Sequence, residues 1–347
     1  MRDMMNFMQN VYTHLGDDVS KKLFENKIMY ALTSDYKYVT QMFADIPEKQ
    51  QLDQVIVKCK ALEDDVVYYG AGNDLKLLMR LYPELDIKCL CDRDINKQRN
   101  GYKGIPVISP EQLLERKDNI HVVIVTTGFH KEIKQYLLDG KIQENQIIDL
   151  GAVLEPLYNR QYFDESVMKS MQEGVFIDGG CYDCSTSILF SQWCDNKYEK
   201  IYGFEPDEQN YVRCKKKSEQ IPQMEVLNKG LWDCDEELTF AADCGQGSKI
   251  TEQSENTMSI FTTSIDKVVK DEKVTLIKLD VEGAELKALQ GAKNTILRNR
   301  PRLAISIYHK PEDIFEIPSY ILSLHDDYKL YIRHYQFSPC ETILYAI

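Results

Sequence analysis

The stretch Val175-Phe-Ile-Asp-Gly-Gly-Cys-Tyr-Asp-Cys-Ser-Thr186 is the most informative segment for the architecture of this chain. Its short apolar run ends at Asp178, passes through two glycines, and meets Ser185 and Thr186, which are good helix-start residues. A strand, a glycine turn and a helix in this order form the ligand-binding corner of many α/β folds, because glycine lets the backbone approach a ligand closely. The turn lacks the G-x-G-x-x-G pattern, so the predicted ligand need not carry a pyrophosphate.

Two later segments also read as short strands that end in an acid. The run Ile201–Pro206 places Glu205 at a strand end, and the run Val274–Leu279 is followed by Asp280 and a helical pattern. Parallel strands in an open sheet bind ligands at their carboxyl ends, so the three strand-end acids are predicted to line one cleft. Glu205 occupies the position that binds a ribose diol in such folds.

These residues resemble the FkbM family of S-adenosylmethionine-dependent methyltransferases. The resemblance is carried by Phe-Ile-Asp-Gly-Gly at 176–180, Tyr-Gly-Phe-Glu-Pro at 202–206, Ile-Lys-Leu-Asp-Val-Glu-Gly-Ala-Glu at 277–285, Pro301–His309 and Tyr328–Ile347. It extends from about residue 174 to the end of the chain. It implies a class I methyltransferase domain, with a seven-stranded sheet whose last strand is antiparallel and with S-adenosyl-L-methionine as cofactor. The chain departs from the family pattern at Cys181 and Cys184, where small residues are expected.

A cofactor site is predicted from the strand ends, from the resemblance and from a third strand and turn at 226–233 that would surround an adenine. Its members are Asp178, Gly179, Gly180, Tyr182, Asp183, Thr186, Glu205, Pro206, Gly230, Leu231 and Asp280.

The predicted catalytic residues are His309, Asp280 and Glu282. An alcohol acceptor must lose a proton, which requires a base or a metal ion. His309 follows a strand and is either the general base or a hydrogen-bonded supporting residue, and Asp280 is also a candidate helix cap. No metal site is predicted, because the two acids lack an evident third ligand; a divalent cation held by them is the alternative. Glu285 is predicted on a helix surface or in a salt bridge, and Lys278, within an apolar strand, needs an acidic partner.

A second α/β unit precedes this region. The strand Asp65–Tyr69 enters a turn with Gly70 and Gly72, and Asp92 follows the next strand, but Leu75 occupies the third glycine position of a dinucleotide fingerprint. The unit resembles small Rossmann-like domains attached to sugar-modifying enzymes. It is predicted to bind a nucleotide or nucleotide-sugar at Gly70, Gly72 and Asp92, or to be architectural. An NAD oxidoreductase remains a further alternative, although no Tyr-x-x-x-Lys motif follows.

The fold class predicted for the chain is α/β, with two Rossmann-like doubly wound units and a helical N-terminal segment. The predicted boundaries are 1–62 for the helical segment, 63–152 for the first α/β unit, 153–173 for a helical connector and 174–347 for the methyltransferase domain. The helical segment is expected to pack on a neighbouring domain or on a second subunit in a homo-oligomer.

Composition and charge disfavour several classes of partner and location. The net charge of −13 and the pI near 5.1 give a nucleic-acid role no electrostatic support. The sequence has no apolar run of membrane-spanning length and no signal-peptide core, so a cytoplasmic location is predicted. Ten cysteines are scattered along the chain, and Cys181-Tyr-Asp-Cys184 is the one C-x-x-C. Reduced thiols are favoured over a zinc site or a redox pair.

The leading hypothesis is an S-adenosylmethionine-dependent O-methyltransferase acting on a hydroxyl of a sugar, glycan precursor or related small molecule, with neither nucleic acid nor membrane as partner. The alternative is a nucleotide-sugar binding or scaffolding protein with a degenerate methyltransferase unit.

Overall fold

The computed structural model describes residues 2–62, 65–170, 173–241 and 257–347. They form two compact units. One unit comprises Met1–Tyr38, Arg160–Tyr335 and Pro339–Ile347, and the other comprises Val39–Asn159 and Gln336–Ser338. The segment 1–62, predicted as one helical piece, is therefore divided between the two units.

The described strands are β1 Asp65–Tyr69, β2 Cys89–Cys91, β3 Val107–Ile108, β4 Ile120–Ile124, β5 Ile147–Asp149, β6 Val175–Gly179, β7 Lys200–Phe204, β8 Met224–Leu227, β9 Gly230–Leu231, β10 Glu237–Ala241, β11 Thr257–Thr263, β12 Val274–Leu279, β13 Arg302–Ser306, β14 Leu330–His334 and β15 Thr342–Ala346.

The described α-helices are α1 Arg2–His14, α2 Asp18–Thr33, α3 Tyr36–Met42, α4 Pro47–Lys60, α5 Asn73–Leu81, α6 Ile95–Asn100, α7 Pro110–Leu114, α8 His130–Asp139, α9 Leu150–Asn159, α10 Ser185–Trp193, α11 Glu208–Ser218, α12 Ile265–Val269, α13 Glu285–Gln290, α14 Lys293–Asn299 and α15 Asp313–Leu324. Short 3₁₀ turns occur at Lys117–Asn119 and Glu144–Gln146.

The unit that contains residues 39–159 is built on a five-stranded sheet in the order β3-β2-β1-β4-β5, with every pairing parallel. Strand β1 carries Val and Tyr, strand β4 carries Val and Ile, and most of these residues are buried, as expected where helices cover both faces of a parallel sheet. The order is a doubly wound arrangement, in agreement with the fold class read from the sequence. The resemblance to domains of sugar-modifying enzymes stays a prediction.

The other unit is built on a seven-stranded sheet in the order β14-β15-β13-β12-β6-β7-β8. Strand β15 pairs antiparallel with both β13 and β14, while the pairs from β13 to β8 are parallel. The predicted seven-stranded sheet with an antiparallel last strand is confirmed. Strands β6 and β12 lie side by side at its centre, so the turns that follow them open on the same edge.

The first two helices belong to this unit. Gly16 donates its N–H to the carbonyl of Leu330 on β14, and Arg333 forms an ion pair of 2.6 Å with Asp17. On α2, Leu23 and Phe24 are buried whereas Val19 and Leu32 are exposed, so the apolar residues of this helix are only partly covered within the described structure. These contacts cover the edge strand of the sheet, which would otherwise present unpaired backbone groups.

The connector predicted as helical at 153–173 is helical only in its first part. Helix α9 ends at Asn159, and the described residues that follow form turns. Tyr162 has φ 70°, a left-handed conformation that a right-handed helix cannot accommodate. Residues 171–172 lie outside the described part of the chain.

Among the described residues, no helix combines the length and apolar character needed to cross a membrane.

Candidate active site

The glycine turn after β6 is clamped between two neighbouring strands. Gly180 has φ 75°, and a Cβ at this position would overlap the carbonyl oxygen of Asp280 at the end of β12. The N–H groups of Gly180 and Cys181 both donate to the carbonyl of Phe204 on β7, at 3.0 and 3.1 Å. Glycine is therefore required at 180 for two independent reasons, the backbone conformation and the close approach. The turn brings three of the predicted strand ends together.

Asp178, on β6, is fully buried. Its Oδ1 lies 3.0 Å from Nζ of Lys278, and its Oδ2 accepts a hydrogen bond of 2.6 Å from Ser187. Lys278 also donates to the carbonyls of Gly179 and Gly180, at 3.0 and 2.7 Å. The acidic partner expected for Lys278 is thus Asp178. The predicted contact of Asp178 with a cofactor stays a prediction; within the described structure its carboxylate holds the lysine that fixes the glycine turn.

Glu205 lies at the end of β7, where the sequence places it, and is almost fully buried. Its carboxylate accepts the N–H of Tyr182 at 2.9 Å and the N–H of Asp207 at 3.0 Å. Burial raises the pKa of Glu205 to about 7, although the two backbone hydrogen bonds oppose the shift. A carboxylate has about four acceptor positions, so capacity for a ligand hydroxyl remains beyond the contacts with Tyr182, Asp207 and the side chain of Asn210.

The other predicted cofactor residues lie around this turn or beside it. A Cβ on Gly179 would meet a methyl group of Leu231 at 2.8 Å, and one on Gly230 would lie 3.8 Å from Cβ of Pro206. Tyr182 is 53% exposed and has φ 49°. Asp183 forms a partly exposed ion pair of 2.7 Å with Lys217, and Thr186 is partly exposed in the first turn of α10.

Asp280 is held by two tyrosines. Its Oδ2 accepts from the hydroxyl of Tyr162 at 2.7 Å, and its Oδ1 accepts from the hydroxyl of Tyr308 at 3.0 Å. Burial acts to raise the pKa of Asp280, but the charges of Lys278 and His309 and the two phenol hydrogen bonds outweigh it and lower that pKa. Asp280 therefore carries a negative charge at neutral pH. Tyr162, in the turns after α9, is a site residue that no sequence motif indicated.

His309 lies among three carboxylates. Its Nδ1 is 2.9 Å from Oε1 of Glu285, and its Nε2 is 3.5 Å from Asp280 and 3.4 Å from Glu282. Burial acts to lower the pKa of His309, but the hydrogen bonds to Glu282 and Glu285 and the charges of Glu285 and Asp280 raise it to about 11. The imidazolium is the stable form at neutral pH. Of the two roles left open by the sequence, the geometry therefore favours the supporting residue over the general base.

Glu285 and Glu282 differ in their surroundings. Glu285 is fully buried and also accepts the N–H of Val281 at 2.8 Å, so the predicted salt bridge is present and the alternative helix-surface position is wrong. Glu282 is partly exposed and has φ 55°, a strained conformation for a residue with a Cβ. Ligand atoms of Asp280, Glu285 and His309 lie within 4.8 Å of one another, so a cation in place of the imidazolium proton would find three ligands.

Glu341 is a further member of the site that the sequence analysis missed. It precedes β15 with φ 60°, accepts a hydrogen bond of 2.6 Å from Gln161, and lies 3.4 Å from the hydroxyl of Tyr308. Burial and the nearby charge of Asp280 raise the pKa of Glu341 to about 7. A carboxylate that titrates near neutral pH is suited to exchange a proton with a substrate.

In the unit built on β1–β5, the predicted nucleotide residues form a similar corner. Gly70 has φ 108°. The carboxylate of Asp92 accepts a hydrogen bond of 2.8 Å from the N–H of Ala71 and forms an ion pair of 3.2 Å with Lys97. The acid at the end of β2 thus binds the turn after β1, as Glu205 binds the turn after β6. Whether this corner receives a ligand stays a prediction.

Comparison with known proteins agrees with this architecture. Residues 178–339 match the model of the methyltransferase FkbM domain. A crystal structure of a methyltransferase FkbM from Methylobacillus flagellatus KT is 18% identical at a TM-score of 0.50, covering 92% of this chain and 100% of that chain, which shows a shared fold. No curated protein matches the sequence.

Two other solved structures resemble a smaller part of the chain. An rRNA methylase from Streptococcus thermophilus has a TM-score of 0.35 and 16% identity over 55% of this chain and 94% of its own. Aeropyrum pernix fibrillarin, in complex with natively bound S-adenosyl-L-methionine, has a TM-score of 0.34 and 10% identity over 55% of this chain and 75% of its own.

Proposed function

Because residues 178–339 match the model of the methyltransferase FkbM domain, we propose that the protein transfers a methyl group from S-adenosyl-L-methionine to a hydroxyl of a sugar, glycan precursor or related small molecule. The observation that carries this proposal is the convergence of the glycine turn, Glu205 and Asp280 at one edge of the seven-stranded sheet.

The residues present fit the cofactor. Gly179 and Gly180 leave no room for side chains where the turn meets β12, and Glu205 retains acceptor positions for a ribose diol. Gly230, Leu231 and Pro206 lie next to the same turn and supply apolar surface for an adenine. S-adenosylmethionine would supply an activated methyl group on a sulfonium cation.

The protein's own contribution is orientation, exclusion of water and removal of a proton. Holding the acceptor in line with the methyl group contributes about 7–11 kcal/mol in well-oriented systems. We assign proton removal to Glu341, because its pKa of about 7 leaves the carboxylate available near neutral pH. Asp280 and Tyr308 position the acceptor beside it, and His309, held as imidazolium, supports Asp280.

The charges around Asp280 favour an uncharged acceptor. Glu282, Glu285 and Glu341 surround this residue, and its neighbouring cations are already paired with acids: His309 with Glu282 and Glu285, and Lys278 with Asp178. An anionic carboxylate or phosphate at the reacting position would be repelled. A neutral hydroxyl is not repelled by these acids, and Glu341 can accept its proton.

The direct test is transfer of an isotopically labelled methyl group to a panel of monosaccharides and nucleotide-sugars, with each product identified by mass spectrometry. We expect a methyl ether product with wild-type protein, loss of turnover in Glu341→Gln, and normal turnover in Glu316→Gln, whose side chain is exposed on α15. A methylated amine or methyl ester as the product would contradict hydroxyl transfer.

The same assay with a chelator tests the base assignment. Activity that survives the chelator and is lost in Glu341→Gln supports a protein base. Activity that the chelator abolishes and magnesium restores would instead assign the role to a cation at Asp280, Glu285 and His309.

A further inference from the structure

Three cysteine side chains meet behind the glycine turn. Cys181 and Cys184 come from the turn itself, and Cys214 comes from α11, on the neighbouring β7–α11 segment. The sulfur atoms of Cys181 and Cys214 are 3.7 Å apart, and ligand atoms of all three residues lie within 4.8 Å of one another. Their exposed fractions are 2%, 0% and 0%. The fold thus adds a third thiol to a C-x-x-C motif that had no partner in the sequence.

The backbone conformation of the turn brings the sulfur atoms of Cys181 and Cys184 close together. Tyr182 has φ 49° and Cys184 has φ 63°, both in the left-handed region that residues with a Cβ seldom adopt. The N–H of Cys184 donates to the carbonyl of Cys181 at 2.7 Å, which closes the turn. Strain of this kind persists only where the surrounding structure enforces it.

The spacing of the sulfurs fits a shared metal ion better than a disulfide. A disulfide needs sulfurs about 2.05 Å apart, and it would leave the third thiol unused. Thiolates bound to a tetrahedral zinc ion at about 2.3 Å lie about 3.8 Å from one another, and Cys181 and Cys214 are already 3.7 Å apart. The remaining sulfur requires only a small adjustment.

We propose that Cys181, Cys184 and Cys214 bind one thiophilic metal ion, such as Zn²⁺ or Cu⁺, through three thiolates. The thiol protons pass to solvent when the ion binds, and the step needs no oxidant or reductant. With three thiolates bound, a tetrahedral Zn²⁺ ion has its fourth coordination position available for a small ligand. A Cu⁺ ion can be coordinated by the three thiolates alone.

Such an ion would have a structural role beside the candidate cofactor site. It would join the glycine turn to α11, and the carbonyl of Tyr182, 3.0 Å from the sulfur of Cys214, belongs to the residue whose N–H binds Glu205. The site is separate from the Asp280 and His309 cluster. The proposed metal site is independent of the proposed methyl transfer, because bound metal can be measured without turnover.

The experiment measures metal bound to protein purified without chelator, by elemental mass spectrometry, and then titrates metal-free protein with Zn²⁺ and Cu⁺ separately. We expect one ion per chain, a higher melting temperature with the ion that binds, and thiolate-to-cobalt absorption when Co²⁺ is substituted. Cys181→Ser and Cys214→Ser should each lose these signals. Cys194→Ser is the matched control, because Cys194 is equally buried but its sulfur bonds within its own helix turn, 3.0 Å from the carbonyl of Phe190.

Wild-type protein that binds neither ion, shows no cobalt–thiolate absorption and keeps its melting temperature would overturn the proposal. The cobalt spectrum of wild-type protein decides the question even if a serine variant fails to fold. Zinc and copper(I) titrations distinguish the two ions, and equal binding by Cys214→Ser would place the ion elsewhere.

Discussion

Asp178 and Lys278 form an ion pair of 3.0 Å at the centre of the seven-stranded sheet, with both side chains out of contact with solvent. They lie directly opposite each other in the register of β6 and β12. The lysine uses its other donors on the carbonyls of Gly179 and Gly180. One buried charge pair therefore determines where the glycine turn lies.

Removal of one partner should destabilise the protein strongly. Asp178→Asn removes the ion-pair partner of a buried lysine, and breaking a buried pair costs about 3–5 kcal/mol. Urea unfolding should show this loss for Asp178→Asn and for Lys278→Met, and the double variant should lose less than the sum. Asp327→Asn is the control, since its pair with Arg300 is exposed and contributes about 0–1 kcal/mol. Additive losses in the double variant would show that the two charges act independently.

Gly180→Ala should damage both the fold and the site. The left-handed backbone costs about 1–2 kcal/mol for a residue with a Cβ, and the new methyl group overlaps the carbonyl of Asp280. We expect a lower melting temperature and loss of cofactor binding by calorimetry. Gly128→Ala is the control, because open space surrounds that position. A Gly180→Ala variant that binds cofactor normally would rule out the close approach seen between the turn and β12.

Glu205→Gln should weaken cofactor binding without unfolding the protein. A hydrogen bond to a charged group contributes about 1.5–3 kcal/mol, so affinity should fall about ten- to a hundredfold. Calorimetric titration measures the change, and Glu219→Gln, with an exposed side chain after α11, should bind normally. Unchanged affinity in a folded Glu205→Gln protein would remove this residue from the site.

The pH dependence of turnover separates Glu341 from His309. The pKa of Glu341 is raised to about 7, so its carboxylate forms as pH rises and activity should increase through neutral pH. The pKa of His309 is raised to about 11, so it stays charged over the same range and contributes no inflection there. Glu341→Gln should remove the rising limb and lower turnover by about a hundredfold or more.

His309→Gln should lower activity less and keep the pH profile, because this residue acts through Asp280. A rising limb that persists in Glu341→Gln and disappears in His309→Gln would reverse the two assignments.

The resemblance to the FkbM family implied the seven-stranded sheet with its antiparallel last strand. Patterns within single segments predicted the two α/β units and the glycine turn that follows β6. Those features follow from strand ends and local turn chemistry, which a short stretch of sequence contains. The sequence also required an acidic partner for Lys278, and β6 supplies it.

Other residues of the site could not be found in this way. Tyr162, Glu341 and Cys214 come from a turn, a strand start and a helix, and each reaches the site only through tertiary packing. The charged state of His309 was equally inaccessible, because it depends on Glu285 turning inward from the start of α13. The helical N-terminal segment was expected to pack on a neighbouring domain or a second subunit, but the sequence did not identify β14 as the strand that α2 contacts.

The central claim is that the edge formed by the glycine turn, Glu205 and Asp280 binds S-adenosylmethionine, and calorimetric titration of wild-type protein with S-adenosylhomocysteine tests it most directly. We predict saturable binding of one ligand per chain, weakened in Glu205→Gln and absent in Gly180→Ala. A wild-type protein with no heat of binding and no thermal shift at millimolar ligand, while a nucleotide-sugar binds at the Gly70 and Asp92 corner, would contradict the claim and support the scaffolding alternative.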